Sequence, residues 1–216
     1  MEFLVKRRMT RSFPHFDGSG RLQTGRLGGF SLIELLSVVV IILVSMTLLV
    51  PAFQGIMQSS SLTSTAASIQ DELSLARALA VANTRRTQVR FYRFGEGNHY
   101  RAMRVFLERA DGEPEAARRI VRLPDGIIID SGGTLSPVLA TTPSSSGSET
   151  NAAPGLPSPV PYAGFRFEPS GAVDVASSAT NSYFTVRALT DSASPPRNFA
   201  TILIQPETGR ATTFRP

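Results

Sequence analysis

Glu34 is the only charged residue between Phe30 and Phe53, in the run FSLIELLSVVVIILVSMTLLVPAF. An ionisable group inside an apolar segment of that length is a functional candidate by default, because keeping it there costs free energy that a partner must offset. Immediately before the run stands Gly28-Gly29-Phe30. Glycine would let an extended backbone enter a protease site without side-chain obstruction. An ordinary secretory signal is cut after its apolar stretch. A cut at Gly29 would instead leave the apolar stretch on the mature chain.

The rest of the sequence offers little bond-breaking chemistry. There is no cysteine, and His15 and His99 are the two histidines, so no Cys/His cluster can hold zinc. His99 adjoins the turn signal Gly95-Glu96-Gly97-Asn98 and is expected to be solvated rather than to serve as a base. That glycine pair lacks the strand-to-helix setting of a phosphate loop. Asp111, Glu113 and Glu115 alternate with Gly112 and Pro114. They lack an EF-hand pattern and read as a solvated loop. Arg85, Arg86, Arg90 and Arg93 read as strand-face charges paired with Glu96, Glu108 or Asp111. No catalytic, cofactor-binding or metal-ligating residue is assigned, and the chain is expected to be non-enzymatic with no small-molecule substrate.

As a helix, Phe30–Phe53 would extend about 36 Å, enough to cross a hydrocarbon core of roughly 30 Å with some tilt. Its twelve Leu, Ile and Val residues from Leu35 to Val50 favour insertion by about 4 to 7 kcal/mol, more than one terminal carboxylate opposes. The formal charge of +5 is concentrated before this run. Lys6, Arg7, Arg8, Arg11, Arg21 and Arg26 face only Glu2 and Asp17 there, and the remainder is close to neutral. That asymmetry places residues 1–29 in the cytoplasm and exports the remainder. It also removes the basic stripe that a nucleic-acid partner would require. Pro51 deletes a helical hydrogen bond and is expected to kink the helix near residues 47–51.

Gly29-Phe30-Ser31-Leu32-Ile33-Glu34, running into LLSVVVIIL, resembles the prepilin-peptidase motif of type IV pilins and type II secretion pseudopilins. The resemblance implies cleavage after Gly29 by a prepilin peptidase, N-methylation of Phe30, and neutralisation of Glu34 by the N-terminal amine of a neighbouring subunit on assembly. Many pilins also carry a proline where Pro51 stands. A leader of residues 1–29 is longer than many in the family, and Met9 is an alternative start. ELSLARALAVANTRRTQVRFY resembles the helix-to-first-strand passage of H-type minor pseudopilins. FRFEPSGAV and ILIQPETGRA resemble that family's closing strands. The chain is also similar to the pilin-like Verru_Chthon cassette protein D family.

Beyond Pro51 the pattern becomes amphipathic. Leu62, Ala66, Ile69, Leu73, Ala76 and Ala80 form one apolar stripe, on a helix expected to end near Asn83. Strands are expected at Gln88–Phe94, Tyr100–Glu108, Arg118–Leu123, Ile127–Ile129, Phe165–Phe167, Ala172–Val175, Ser182–Leu189, Ala200–Gln205 and Arg210–Phe214. Residues 131–162, rich in Ser, Thr, Pro and Gly, read as a flexible surface loop. The fold class is therefore α+β, a long N-terminal helix packed on an antiparallel sheet. The division is a leader at 1–29, a membrane and filament-core helix at 30–53, its amphipathic continuation at 54–84, and an exported domain at 85–216.

These observations and the resemblance together lead to a structural, minor subunit of a type IV pilus-like or type II secretion filament. Its expected partners are prepilin peptidase, other pilin or pseudopilin subunits and the inner membrane. Two other readings stay open: a surface-displayed adhesin or DNA-uptake pilin, and an uncleaved signal-anchored envelope protein.

Overall fold

Leu32–Asn83 forms one α-helix, α1, of 52 residues. It begins where the Ser31 carbonyl accepts the Glu34 and Leu35 amides at 3.0 and 3.1 Å. It ends where Thr84 turns left-handed, at φ 52°, with the Asn83 side chain donating back to the Leu79 carbonyl. A left-handed residue just past the last turn is the usual way a helix stops. The computed structural model describes residues 29–141, 143–175 and 182–216, with the side chains of 48–56 outside the described set. The leader lies outside it too, apart from Gly29, and so do Met9 and the side chain of Pro51. Helical backbone is assigned through Pro51.

The described chain divides into two compact units that meet between Thr47 and Leu48. In the first, apolar side chains of α1 are exposed on every face, from Leu32 and Ile33 through Ile41 to Met46. In the second, α1 packs on a sheet. All six residues of the expected stripe are buried, none above 1% exposed. The 3.6-residue period thus found its partner surface.

Ten strands make one sheet among the described residues. They are β1 (Thr87–Arg93), β2 (Tyr100–Glu108), β3 (Pro114–Ala116), β4 (Val121–Arg122), β5 (Ile127–Ile129), β6 (Ser145–Glu149), β7 (Val160–Phe167), β8 (Tyr183–Ala188), β9 (Phe199–Ile204) and β10 (Ala211–Phe214). Their order is β10-β9-β8-β5-β2-β1-β7-β6, and β3 and β4 flank β2. Every pairing is antiparallel. The architecture is therefore a mixed one of helix and antiparallel sheet, as expected.

Alternation along the strands builds the core. Val89 and Phe91 of β1 face α1 with Met103, Val105, Phe165, Phe184 and Ile202. Phe91 is the centre of an aromatic cluster, with ring centroids 5.3 Å from Phe184, 5.8 Å from Phe165 and 6.4 Å from Tyr100. Such offset contacts add to the area term. The β1–β2 hairpin turns through Gly95 and Gly97 at φ 77° and 71°, where a side chain would be strained.

Three expectations need correction. Residues 131–162 are not simply a loop: they hold a short helix, α2 (Pro137–Ala140), all of β6 and the start of β7. Val138 and Leu139 enter the main core, and Ala152 and Val160 cover Tyr92 and Ala102 on the sheet's other face. Serine and glycine mask this in the sequence, because β6 is held by backbone pairing to β7 rather than by an apolar pattern. Arg118–Leu123 reduces to Val121–Arg122, and Ala172–Val175 to a single bridge between Phe167 and Val173. The remaining expected strands agree to within two residues at each end, except Phe165–Phe167, which lengthens to Val160–Phe167.

Candidate processing and assembly site

Gly29 and Phe30 precede α1, and among the described residues nothing lies within 4 Å of where a Gly29 side chain would begin. Phe30 is 78% exposed. Glu34 sits in the first turn of α1 with its side chain exposed. A carboxylate there is favoured by the unpaired amides and positive dipole end of the helix. Its own carbonyl accepts the Ser37 hydroxyl at 2.8 Å.

The other hydroxyls of this stretch behave likewise. Ser45 Oγ donates to the Ile41 carbonyl at 2.8 Å, and Thr47 Oγ1 to the Val44 carbonyl at 2.7 Å. Each hydroxyl is satisfied within the helix, as are those of Thr63, Ser64, Thr65 and Ser74 farther along α1. Among the described residues no helix is long and apolar enough to cross a membrane. The described side chains of the apolar run stop at Thr47.

Two of the arginines singled out in the sequence form ion pairs. Arg86 Nε pairs with Glu168 at 3.0 Å, and Arg90 Nη1 with Glu149 at 2.9 Å. These carboxylates replace the expected Glu96, Glu108 and Asp111. Arg90 stands directly across from Arg104 on β2, a like-charge pairing that would normally destabilise a sheet. Glu149 and the rings of Phe106 and Tyr162, 4.2 and 4.4 Å from the Arg90 guanidinium carbon, compensate. Tyr92 also donates to Glu149, at 2.7 Å. Burial first, and that carboxylate second, push its phenol well above its usual range. Arg93 lies over Tyr100, and Arg85 is exposed.

His99 is half-buried, with Nδ1 3.1 Å from Ser131 Oγ. Burial holds its pKa below that of a free imidazole, although Asp130 opposes the shift. Glu115 pairs with Arg109 at 3.1 Å. Among the described residues no group of acidic, His or Cys side chains could hold a metal ion.

Sequence reading missed the buried pair of Asp130 and Arg187. Asp130 Oδ2 accepts from Arg187 Nε at 2.7 Å, and Oδ1 accepts the Gly132 amide at 2.7 Å. Arg187 Nη1 then donates to the Asp191 carbonyl at 2.6 Å. Removing one partner of a buried pair strands the other. Asp130→Ala is therefore expected to cost about 3 to 5 kcal/mol, read as a lowered urea midpoint. Asp130→Leu combined with Arg187→Met should recover most of it.

A long helix with an all-round apolar first stretch, joined to a helix-backed antiparallel sheet, defines the class of chain to which this one should be compared. No protein family's sequence profile matches it, and neither does any curated protein. Two solved structures of the minor pseudopilin EpsH from the type II secretion system of Vibrio cholerae are similar. Their identities are 16% and 17%, with a TM-score of 0.42 for each. The matches cover 72% and 73% of this chain and 98% and 96% of those chains. A superposition this loose leaves the functional assignment to the chain's own residues.

Proposed function

We propose that this chain is a structural, minor subunit of a pilin-like envelope filament of the pilus or type II secretion kind. It is released from its leader by a prepilin peptidase after Gly29 and assembled through the helix that follows. The observation that carries this reading is the first unit of α1. There, apolar side chains are exposed on every face and one carboxylate occupies the first turn. A helix apolar all round needs lipid or other helices around it.

In this reading residues 30–53 wait in the inner membrane with the leader cytoplasmic, and the domain from 85 onward is exported. Assembly moves the apolar faces from lipid into a bundle of neighbouring subunits. Phe30, once freed and methylated, supplies the amine that meets a neighbour's Glu34, and Pro51 bends the helix at the end of the apolar stretch. The role is architectural, and no catalytic group takes part.

Gly29 gives a clean test, because a side chain there meets nothing among the described residues. Gly29→Glu is expected to leave the domain folded while full-length precursor accumulates in the membrane fraction, with processed protein reduced at least about tenfold, a barrier increase of about 1.4 kcal/mol. Normal processing of that variant would contradict the assignment of the scissile bond.

A further inference from the structure

Where the domain grips α1 nearest the apolar run, it does so with two distant parts of the chain. Gln58 Nε2 donates to Thr190 Oγ1 at 3.3 Å. Arg215, just past β10, donates from Nη2 to Ser59 Oγ at 2.6 Å and to Asn198 Oδ1 at 2.9 Å, and from Nη1 to Thr63 Oγ1. The Asp191 carboxylate gathers the loop between β8 and β9 by accepting the amides of Ala193, Arg197 and Asn198. Thr190, Ser192 and Arg197 of that loop line, together with Gln58, an open hollow of about 520 Å³. The loop therefore stands at the level of Gln58 on the helix.

That level fixes how far this end of the domain stands from the apolar run. The run ends at Phe53, and helical backbone continues unbroken through Gln58, all within the second unit. Five residues, each rising about 1.5 Å, make about 7.5 Å. The polar headgroup layer on either side of a hydrocarbon core is about 5 to 7.5 Å thick. With the run in hydrocarbon, this end of the domain therefore meets the headgroups.

Its surface chemistry suits that place. Arg197 and Arg215 are exposed, and Arg197 takes part in none of the ion pairs of the described residues. Met57 is 71% and Phe214 55% exposed. Beyond the run, Val81 is the only other large apolar side chain exposed among the described residues. Arginines that reach phosphates, beside apolar side chains that enter the interface, are the composition of membrane-surface segments. We propose that the loop 189–198 and residues 214–215 rest on the phospholipid headgroup layer before assembly. Arg197 and Arg215 face lipid phosphates, and Met57 and Phe214 enter the interface. The contact rests on the membrane reading of residues 30–53. A bend at Pro51 would let the domain swing away, so the contact depends on these side chains and not on the tether alone.

The chain has no cysteine, so one introduced cysteine can carry a bimane fluorophore at a chosen place. Ser45→Cys reports on the apolar run and Ser192→Cys on the loop. Ala110→Cys reports on the opposite end of the domain, where the Glu108 amide donates to the Arg86 carbonyl just beyond α1. Each full-length variant is reconstituted in vesicles of phosphatidylcholine and phosphatidylglycerol carrying a nitroxide quencher on either the headgroup or the acyl chain. The headgroup nitroxide is expected to remove most of the emission at position 192 and little at position 110. The acyl-chain nitroxide should quench position 45. Adding Arg197→Glu and Phe214→Ser to the loop reporter should restore most of its emission while position 45 stays quenched. With position 45 quenched, equal headgroup quenching at positions 192 and 110 would overturn the contact and leave the anchor standing. Undiminished quenching at position 192 in the charge-reversed variant would do the same. No quenching at position 45 would overturn both.

Discussion

Glu34→Ala is expected to leave cleavage after Gly29 intact and to remove the chain from assembled filaments. An unpaired charge at the centre of an apolar environment costs about 2.5 to 3.5 kcal/mol, the position that Glu34, terminal in its own helix, would take once neighbouring helices enclose it in the proposed filament. Such a residue is retained where pairing on assembly offsets the cost. Without it, the amine of a neighbouring Phe30 would be buried alone at a comparable penalty. Since about 1.4 kcal/mol is a factor of ten, incorporation should fall on the order of a hundredfold. Quantitative immunoblots of sheared filaments against membranes would measure this. Normal incorporation of the variant would remove the assembly role given to Glu34, while the cleavage assignment would stand. The domain should be indifferent to the change, because Glu34 belongs to the first of the two units.

Gly164→Ala should have an effect on the fold comparable to that of Asp130→Ala. Gly164 lies in β7 opposite Arg90 of β1 and Ser145 of β6, with strands on both sides. A side chain there would overlap the Val89 carbonyl oxygen and sit 2.9 Å from the Val89 carbonyl carbon and 3.2 Å from the Arg90 Cα. These are backbone atoms of the paired strand β1, so no rotamer change relieves the clash. Overpacking in a core typically costs about 1 to 3 kcal/mol, and Gly164 should lie at or beyond the upper end of that range. The expected readout is a urea midpoint far below that of the unsubstituted chain, or failure to recover folded protein. A midpoint shift equivalent to less than about 0.5 kcal/mol, ordinary for a surface substitution, would show that the strands can separate there without loss.

How far the fold was legible depends on what held each element. The stripe from Leu62 to Ala80 was readable because apolar burial imposes its period directly. Tyr100–Glu108 and Ile127–Ile129 were found to the residue, bounded by glycine turns at Gly97 and Gly126, both with positive φ. Ser145–Glu149 left no apolar pattern, since its place is set by backbone pairing with β7 and by a side-chain hydrogen bond between Gln88 and Ser145. Partners distant in sequence were likewise invisible. Arg90 finds Glu149 and Arg187 finds Asp130 across strands that only the topology brings together. Glu96, Glu108 and Asp111 are nearer to Arg90 in sequence than Glu149, and none of them is its ion-pair partner. Gly164 carried a signal that could have been used, a lone glycine between Ala163 and Phe165 in an apolar strand, which often marks a close backbone approach. At the N-terminal site the motif Gly29-Phe30 with Glu34 was complete in the sequence. The structure adds the exposure of Phe30, the helical start at Leu32, and the internally satisfied hydroxyls that follow.

In the proposed role the working protein begins at Phe30. Mass spectrometry of the N-terminal peptide from chain recovered out of host membranes measures this directly. A peptide starting at Phe30, carrying a methyl group on its amine, is expected. A peptide starting at Met1 or Met9, with the Gly29–Phe30 bond intact, would contradict it.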